Sequence, residues 1–182
     1  MGYRKYAKDY EVEEQVREGK RRKKYVRIYV GTYYRFVAPP ERVAWLKRFY
    51  AVLLLAMAVL LLIPMLIDCN FTRSWFVAVP STLCWLPWIF AAGAVWRLWT
   101  AGEKVVREHR DLLHDRMSGA SLFLMGFACI SVLGCVFTLF RQEAGAWDYV
   151  VCADLLAAAA CSVPLFSHRK ELEMEPVPDS KS

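Results

Sequence analysis

Apolar positions in this chain gather into four long blocks: Phe49–Ile67, Trp75–Trp96, Gly119–Phe140 and Trp147–Phe166. The first three carry no charge, and the fourth carries only Asp148 and Asp154. At about 1.5 Å of rise per residue, each block can cross a hydrocarbon layer about 30 Å thick. None of them alternates with period two. In lipid a lone segment satisfies its own backbone only as a helix. The pattern therefore predicts an all-α integral membrane protein with four transmembrane helices in two hairpins. Short polar loops at 68–74 and 141–146 and a longer one at 97–118 would connect them.

Residues 1–48 follow a different rule. Tyr10–Val16 alternates in part, and Tyr25–Val30 alternates clearly, with Val26, Ile28 and Val30 on one side. Gly31 permits a bend before Tyr33–Phe36. This predicts a small N-terminal β-hairpin-like unit of two or three antiparallel strands. Such a unit is too small to stand alone in water. It is expected to lean on the membrane face, on the 97–118 loop, on another copy or on a partner. Pro39-Pro40 ends the strand, and Pro40 suits the first turn of a helix.

The chain thus divides into a basic head at 1–40, a transmembrane region at 41–166 and a tail at 167–182. Glu171, Glu173, Glu175, Pro176 and Pro178 make that tail read as disordered and solvated. Within the long loop, Val105, Val106, His109, Leu112 and Leu113 share one side at helical spacing. They predict an amphipathic helix at the membrane interface.

Charge adds direction. The chain has 24 Lys+Arg against 18 Asp+Glu, a net of +6. Residues 1–48 hold 14 of the basic residues and the 97–118 loop holds 5, while the two short loops hold only Arg73 and Arg141. The positive-inside rule then puts both termini and the long loop in the cytoplasm of a multi-pass cell-membrane protein. Trp45, Tyr50, Trp96 and Trp99 at one level, and Trp75, Trp147 and Tyr149 at the other, suit the two headgroup regions. Trp85 and Trp88 fall mid-span and are expected between helices or against lipid. A cleaved signal peptide is not expected, because 48 residues precede the first span and no small-x-small site follows it.

Candidate chemistry is sparse. Lys20, Arg21, Arg22, Lys23 and Lys24 form the densest charge cluster. It reads as a solvated turn that also enforces topology, as a contact for anionic lipid at the inner face, or as a contact for an acidic protein or nucleic acid. Nucleic acid is the least expected, since no nucleic-acid module accompanies the cluster. No GxxxxGK[ST], HExxH, GxSxG or GxGxxG occurs. His109-Arg110-Asp111 imitates a kinase loop with none of its other parts. His109 and His114 splay too far apart on a helix to share a ligand. Five cysteines lie inside the spans (Cys84, Cys129, Cys135, Cys152 and Cys161) and read as packing residues. Cys69 reaches the outer surface, where a bridge to Cys152 is conceivable. No catalytic residue, metal ligand or cofactor is expected.

Two carboxylates remain. Asp148, at the outer edge, is expected to pair with Arg73 or Arg141. Asp154 lies about 10 Å further inward along a helix and is expected to face protein. Ala157, Ala158, Cys161 and Ser162 share its side, a small-residue face suited to close packing. Ser131, Cys135 and Thr138 of the third helix are its expected hydrogen-bond partners. Pro80 and Pro87 are well placed to bend the second helix. The expected function is that of a non-enzymatic anchor or interaction module working through the basic head on the bilayer, on a protein partner or as a homo-oligomer. The alternative is a small oligomeric transporter or channel component that uses Asp154.

Overall fold

The structure, a computed structural model, describes residues 6–15, 24–141 and 143–177, with backbone alone at 12–15 and 24–27. It is mostly helical, with small strands toward the N-terminus. Strands β1 (Tyr10–Gln15) and β2 (Lys24–Tyr29) form an antiparallel hairpin in which Tyr10 faces Tyr29 and Gln15 faces Lys24. Strand β3 (Tyr33–Phe36) leads through Pro39 into helix α1 (Pro40–Leu66). Helix α2 (Asn70–Arg73) is a single turn, followed by α3 (Trp75–Leu83) and α4 (Trp85–Thr100). A two-residue strand β4 (Val105–Val106) precedes α5 (Arg107–Leu139). Helix α6 (Ala146–Ser167), a 3-10 turn at His168–Leu172 and strand β5 (Met174–Pro176) complete the described chain.

Four helical runs are long and apolar enough to cross a membrane: Pro40–Leu66, Trp75–Thr100, Arg107–Leu139 and Ala146–Leu172. Each is longer than its apolar block, because a helix need not stop where hydrocarbon would. The second run breaks at Cys84, between α3 and α4. Pro87 has no N–H to give the Leu83 carbonyl, and its ring crowds that carbonyl, so the sequence-level bend at Pro87 corresponds to a real interruption. Around the bundle α1 packs on α4 and α6, while α5 packs on α3, α4 and α6. At most a third of each span's most apolar window is buried. Leu55, Phe123 and Leu133 on the outer surface are each more than 60% exposed.

Two close approaches hold the bundle and its cap in register. Gly134 of α5 lies against the Phe76 backbone of α3, where any Cβ would collide with the Phe76 carbonyl oxygen. Gly31 lies under Tyr29, whose hydroxyl would sit 2.7 Å from an added Cβ. Trp88 packs between helices and donates its indole N–H to the Leu54 carbonyl at 3.0 Å.

Three expectations need correction. First, β3 does not extend the β1–β2 hairpin. It is the central strand of a second sheet, ordered β4-β3-β5, which joins segments about 70 residues apart on either side of it. Second, Val105 and Val106 are strand, and helix α5 starts only at Arg107. His109 faces out, while Leu113 is buried, and the helix runs on unbroken into the span. Third, the tail is structured through Val177: Val177 N–H donates to the Tyr33 carbonyl at 2.8 Å and Val37 N–H to the Glu173 carbonyl at 3.1 Å. Backbone ladder bonds between distant segments leave no periodicity that a local reading can detect.

Candidate functional site

The described segments before α1 and after α6 meet the loop before α5 at one end of the bundle, forming a polar cap. Its sheet is seated by alternation. Phe36 and Met174 face each other across β3 and β5, and both pack on the main core with Leu172. Arg35 and Glu175 are the next opposed pair, so they point to the other face. The β1–β2 hairpin is tied on through Tyr29. Its hydroxyl donates to the Thr32 carbonyl at 2.9 Å and accepts the Arg107 N–H at 3.1 Å, which serves one of the free amides at the start of α5. Tyr10 and Tyr33 pack edge-on against the Tyr29 ring. Burial, more than any neighbouring charge, pushes the Tyr29 phenol above its ordinary value. Tyr6 reaches Asp111 at 2.9 Å, and the Arg110 guanidinium lies 4.6 Å over the Tyr34 ring. Of the supports expected for the head, the 97–118 segment is in contact with it.

A second tie joins the start of α1 to the end of α6, beyond the apolar blocks. Arg42 donates twice to Glu171, from Nε at 2.7 Å and from Nη2 at 3.1 Å. His168 Nδ1 donates at 2.5 Å to Oε1 of the same carboxylate, the oxygen that also accepts from Arg42 Nη2. The Arg42 hydrogen bonds, followed by the one from His168, hold the Glu171 carboxyl down at about 2. Arg42 also stacks 4.2 Å over the Trp45 ring, and the His168 ring meets Trp45 and Phe49 edge-on.

Between these ties the cap leaves a groove of about 780 Å³. Arg35, Lys47, Glu103, Lys104 and Glu175 line its polar side, with Phe36, Pro40 and Val43 among its apolar lining. Lys47 donates to the Ala101 carbonyl at 2.9 Å at its base.

Lys20, Arg21, Arg22 and Lys23 lie outside the described residues, and Lys24 is described only as the backbone start of β2. Among the described residues, no group of three or more His, Cys, Asp or Glu is arranged to hold a metal ion. The six cysteines are free thiols. Cys69 and Cys152 do pack against the same small core as Cys135 at the far end of the bundle.

Asp148 behaves differently from its expected pairing. It is 2% exposed and accepts from the Phe71 N–H at 3.0 Å, the Gly145 N–H at 2.9 Å and, at 3.5 Å, Asn70 Nδ2. Arg73 instead pairs with Asp68, and Arg141 lies over the Phe137 ring. The signal was present in the sequence: Asp148 is the third residue of α6, the spacing at which a carboxylate reaches back to the N-cap amide.

Asp154 is buried in the bundle, as expected, but on a differently rotated face. Val151, Leu155, Ala158 and Ser162 are buried with it, whereas Ala157 is exposed. The expected partners bond elsewhere. Ser131 donates to the Phe127 carbonyl, and Thr138 to the Gly134 carbonyl and Ser74 Oγ. Asp154 Oδ2 is buried with no hydrogen-bond partner. The hydrogen-bonded clamp to α5 is therefore not made, because serine and threonine on a helix satisfy themselves on their own preceding turn. Compared with protein-family models, with curated proteins and with solved structures, the chain has no significant match.

Proposed function

We propose that this chain is a multi-pass protein of a cell membrane, with both termini cytoplasmic, that acts without catalysis as an anchor for an interaction surface on its cap. The membrane reading is supported by four spans with their apolar side chains turned outward, which water would penalise and lipid would not. The orientation is supported by the basic-residue count, 14 and 5 against one and one. The woven cap supports the interaction reading: three segments distant in sequence are spent on one small folded surface.

Labelling and co-purification test this together. In a Cys69→Ser background, a membrane-impermeant thiol reagent should reach Glu143→Cys in intact cells and reach Lys104→Cys only after the membrane is opened. The reverse result overturns the orientation. The full chain purified in mild detergent should retain a protein partner or anionic lipid that the variant with Lys20, Arg21, Arg22, Lys23 and Lys24 all changed to Gln loses. Equal retention overturns the assignment to the basic head.

A second reading, an oligomeric transporter or channel component, is favoured by one observation, the buried and unpartnered Asp154 Oδ2. Proton-linked flux in proteoliposomes that Asp154→Asn abolishes would decide for it. Indifference to Asp154→Asn decides for the anchor.

A further inference from the structure

The groove in the cap has a lining that neither the basic cluster nor the fold accounts for. Its volume of about 780 Å³ falls in the range of small-molecule sites. Three cations and two carboxylates line it. Among the described residues the side chains of Arg35, Glu103, Lys104 and Glu175 have no ion-pair or hydrogen-bond partner, although Arg35 and Glu175 are directly opposed across β3 and β5. A cap that needed these charges for its own stability would have joined them, as it joins Arg42 to Glu171.

Position adds a second constraint. Lys47 and Ala101, bonded to each other in the groove lining, lie two residues before the first uncharged block and five residues after the second. Trp45, Trp96 and Trp99 are exposed nearby in sequence, at the level where indole rings favour headgroups. Val43 and Ala44 line the same groove and give it an apolar wall on the first turns of α1. A ligand that fits must bring an anion for Lys47, Arg35 and Lys104, N–H donors for Glu103 and Glu175, and an apolar portion directed at the bilayer.

We propose that the groove binds the headgroup of an aminophospholipid, its phosphate among Arg35, Lys47 and Lys104 and its primary ammonium at Glu103 and Glu175. A phosphatidylglycerol headgroup offers the two carboxylates hydroxyl donors but no positive charge. A choline headgroup has no N–H to donate to them. This rests on the membrane reading above but not on the basic cluster, which lies elsewhere in the chain.

Native mass spectrometry of the full-length protein in detergent, titrated separately with phosphatidylethanolamine, phosphatidylcholine and phosphatidylglycerol, tests it. Phosphatidylethanolamine should bind more tightly than phosphatidylcholine. Arg35→Gln and Lys104→Gln should each weaken it about fivefold, the factor expected per basic residue at a phosphate surface, while Lys104→Arg should not. Glu103→Gln with Glu175→Gln should remove the preference for ethanolamine over choline. Equal binding of the two zwitterionic lipids to the unaltered protein, or no effect of the groove substitutions, overturns the proposal. Displacement of the lipid by millimolar glycerol phosphate would show a site for soluble phosphoesters and overturn the lipid assignment. The membrane reading fails separately, if alkaline carbonate releases the protein from membranes.

Discussion

The two ends of the bundle are built on opposite plans. At the far end the connections are short, and one buried carboxylate organises them: Asp148 holds the amide of its own N-cap and the amide of Phe71 in α2. At the cap end the α4–α5 connection is as short, but segments before α1 and after α6 fold back beside it, and no single residue organises them. Strand pairing between distant segments, the Tyr29 hydroxyl and the Arg42–Glu171–His168 group share the task. The far end is compact because few residues must be ordered there. The cap orders many residues with partly exposed contacts, and it leaves a groove and uncommitted charge. Regions with exposed hydrogen bonds and little buried apolar contact open most easily and carry binding surfaces most often.

The largest expected effect tests the far end. Asp148→Ala strands the Phe71 and Gly145 amides and should cost about 2–4 kcal/mol, read as a lower unfolding temperature in detergent. Asp148→Asn, which keeps an acceptor oxygen, should cost less. If Asp148→Ala is as stable as the unaltered protein, the far end is not organised by this carboxylate.

At the cap the expected effect is smaller and depends on pH. Glu171 is held at about 2 in the fold against an ordinary 4.5. Its folded value is depressed, so its contribution is fully present above about pH 4.5 and is lost as pH falls toward 2. A third of its side chain is exposed, which limits the contribution to about 1 kcal/mol or less. Melting curves of the unaltered protein and of Glu171→Gln should differ at pH 6 and converge toward pH 2. Parallel curves across that range would remove the clamp from the comparison.

The smallest effect returns to the far end as a control. Asp68 and Arg73 form a tight pair, and Arg73 lowers the Asp68 carboxyl, yet both side chains are 71% exposed. Asp68→Asn should leave the melting temperature unchanged within error. A clear loss would mean that surface ion pairs, and not only the buried carboxylate, hold the short loops.

The four spans were legible because an apolar run of about twenty residues has few physical alternatives. The break near Cys84 was legible through Pro87, and both strands of the hairpin through alternation. Asp154 shows the limit of that reading. Its burial followed from its cost in lipid, but the rotation of α6 did not, because Leu155 and Ala157 exchange sides with a modest turn of the helix. Asp148 was misread because charge suggested an arginine, whereas its position at the third residue of α6 suggested a cap.

What the amino-acid sequence determined by itself is therefore what local chemistry dictates: span number, helix and strand type, the proline break and the asymmetry of charge. Tertiary structure alone decided that β3 joins Val105–Val106 and Met174–Pro176 and not the hairpin, that Glu171 belongs to Arg42 and not to solvent, and that a groove opens beside Lys47. The reason is range. Periodicity, capping and hydropathy act within a few residues, while these contacts join positions up to about 140 residues apart and depend on how the helices first bring the two ends of the chain together.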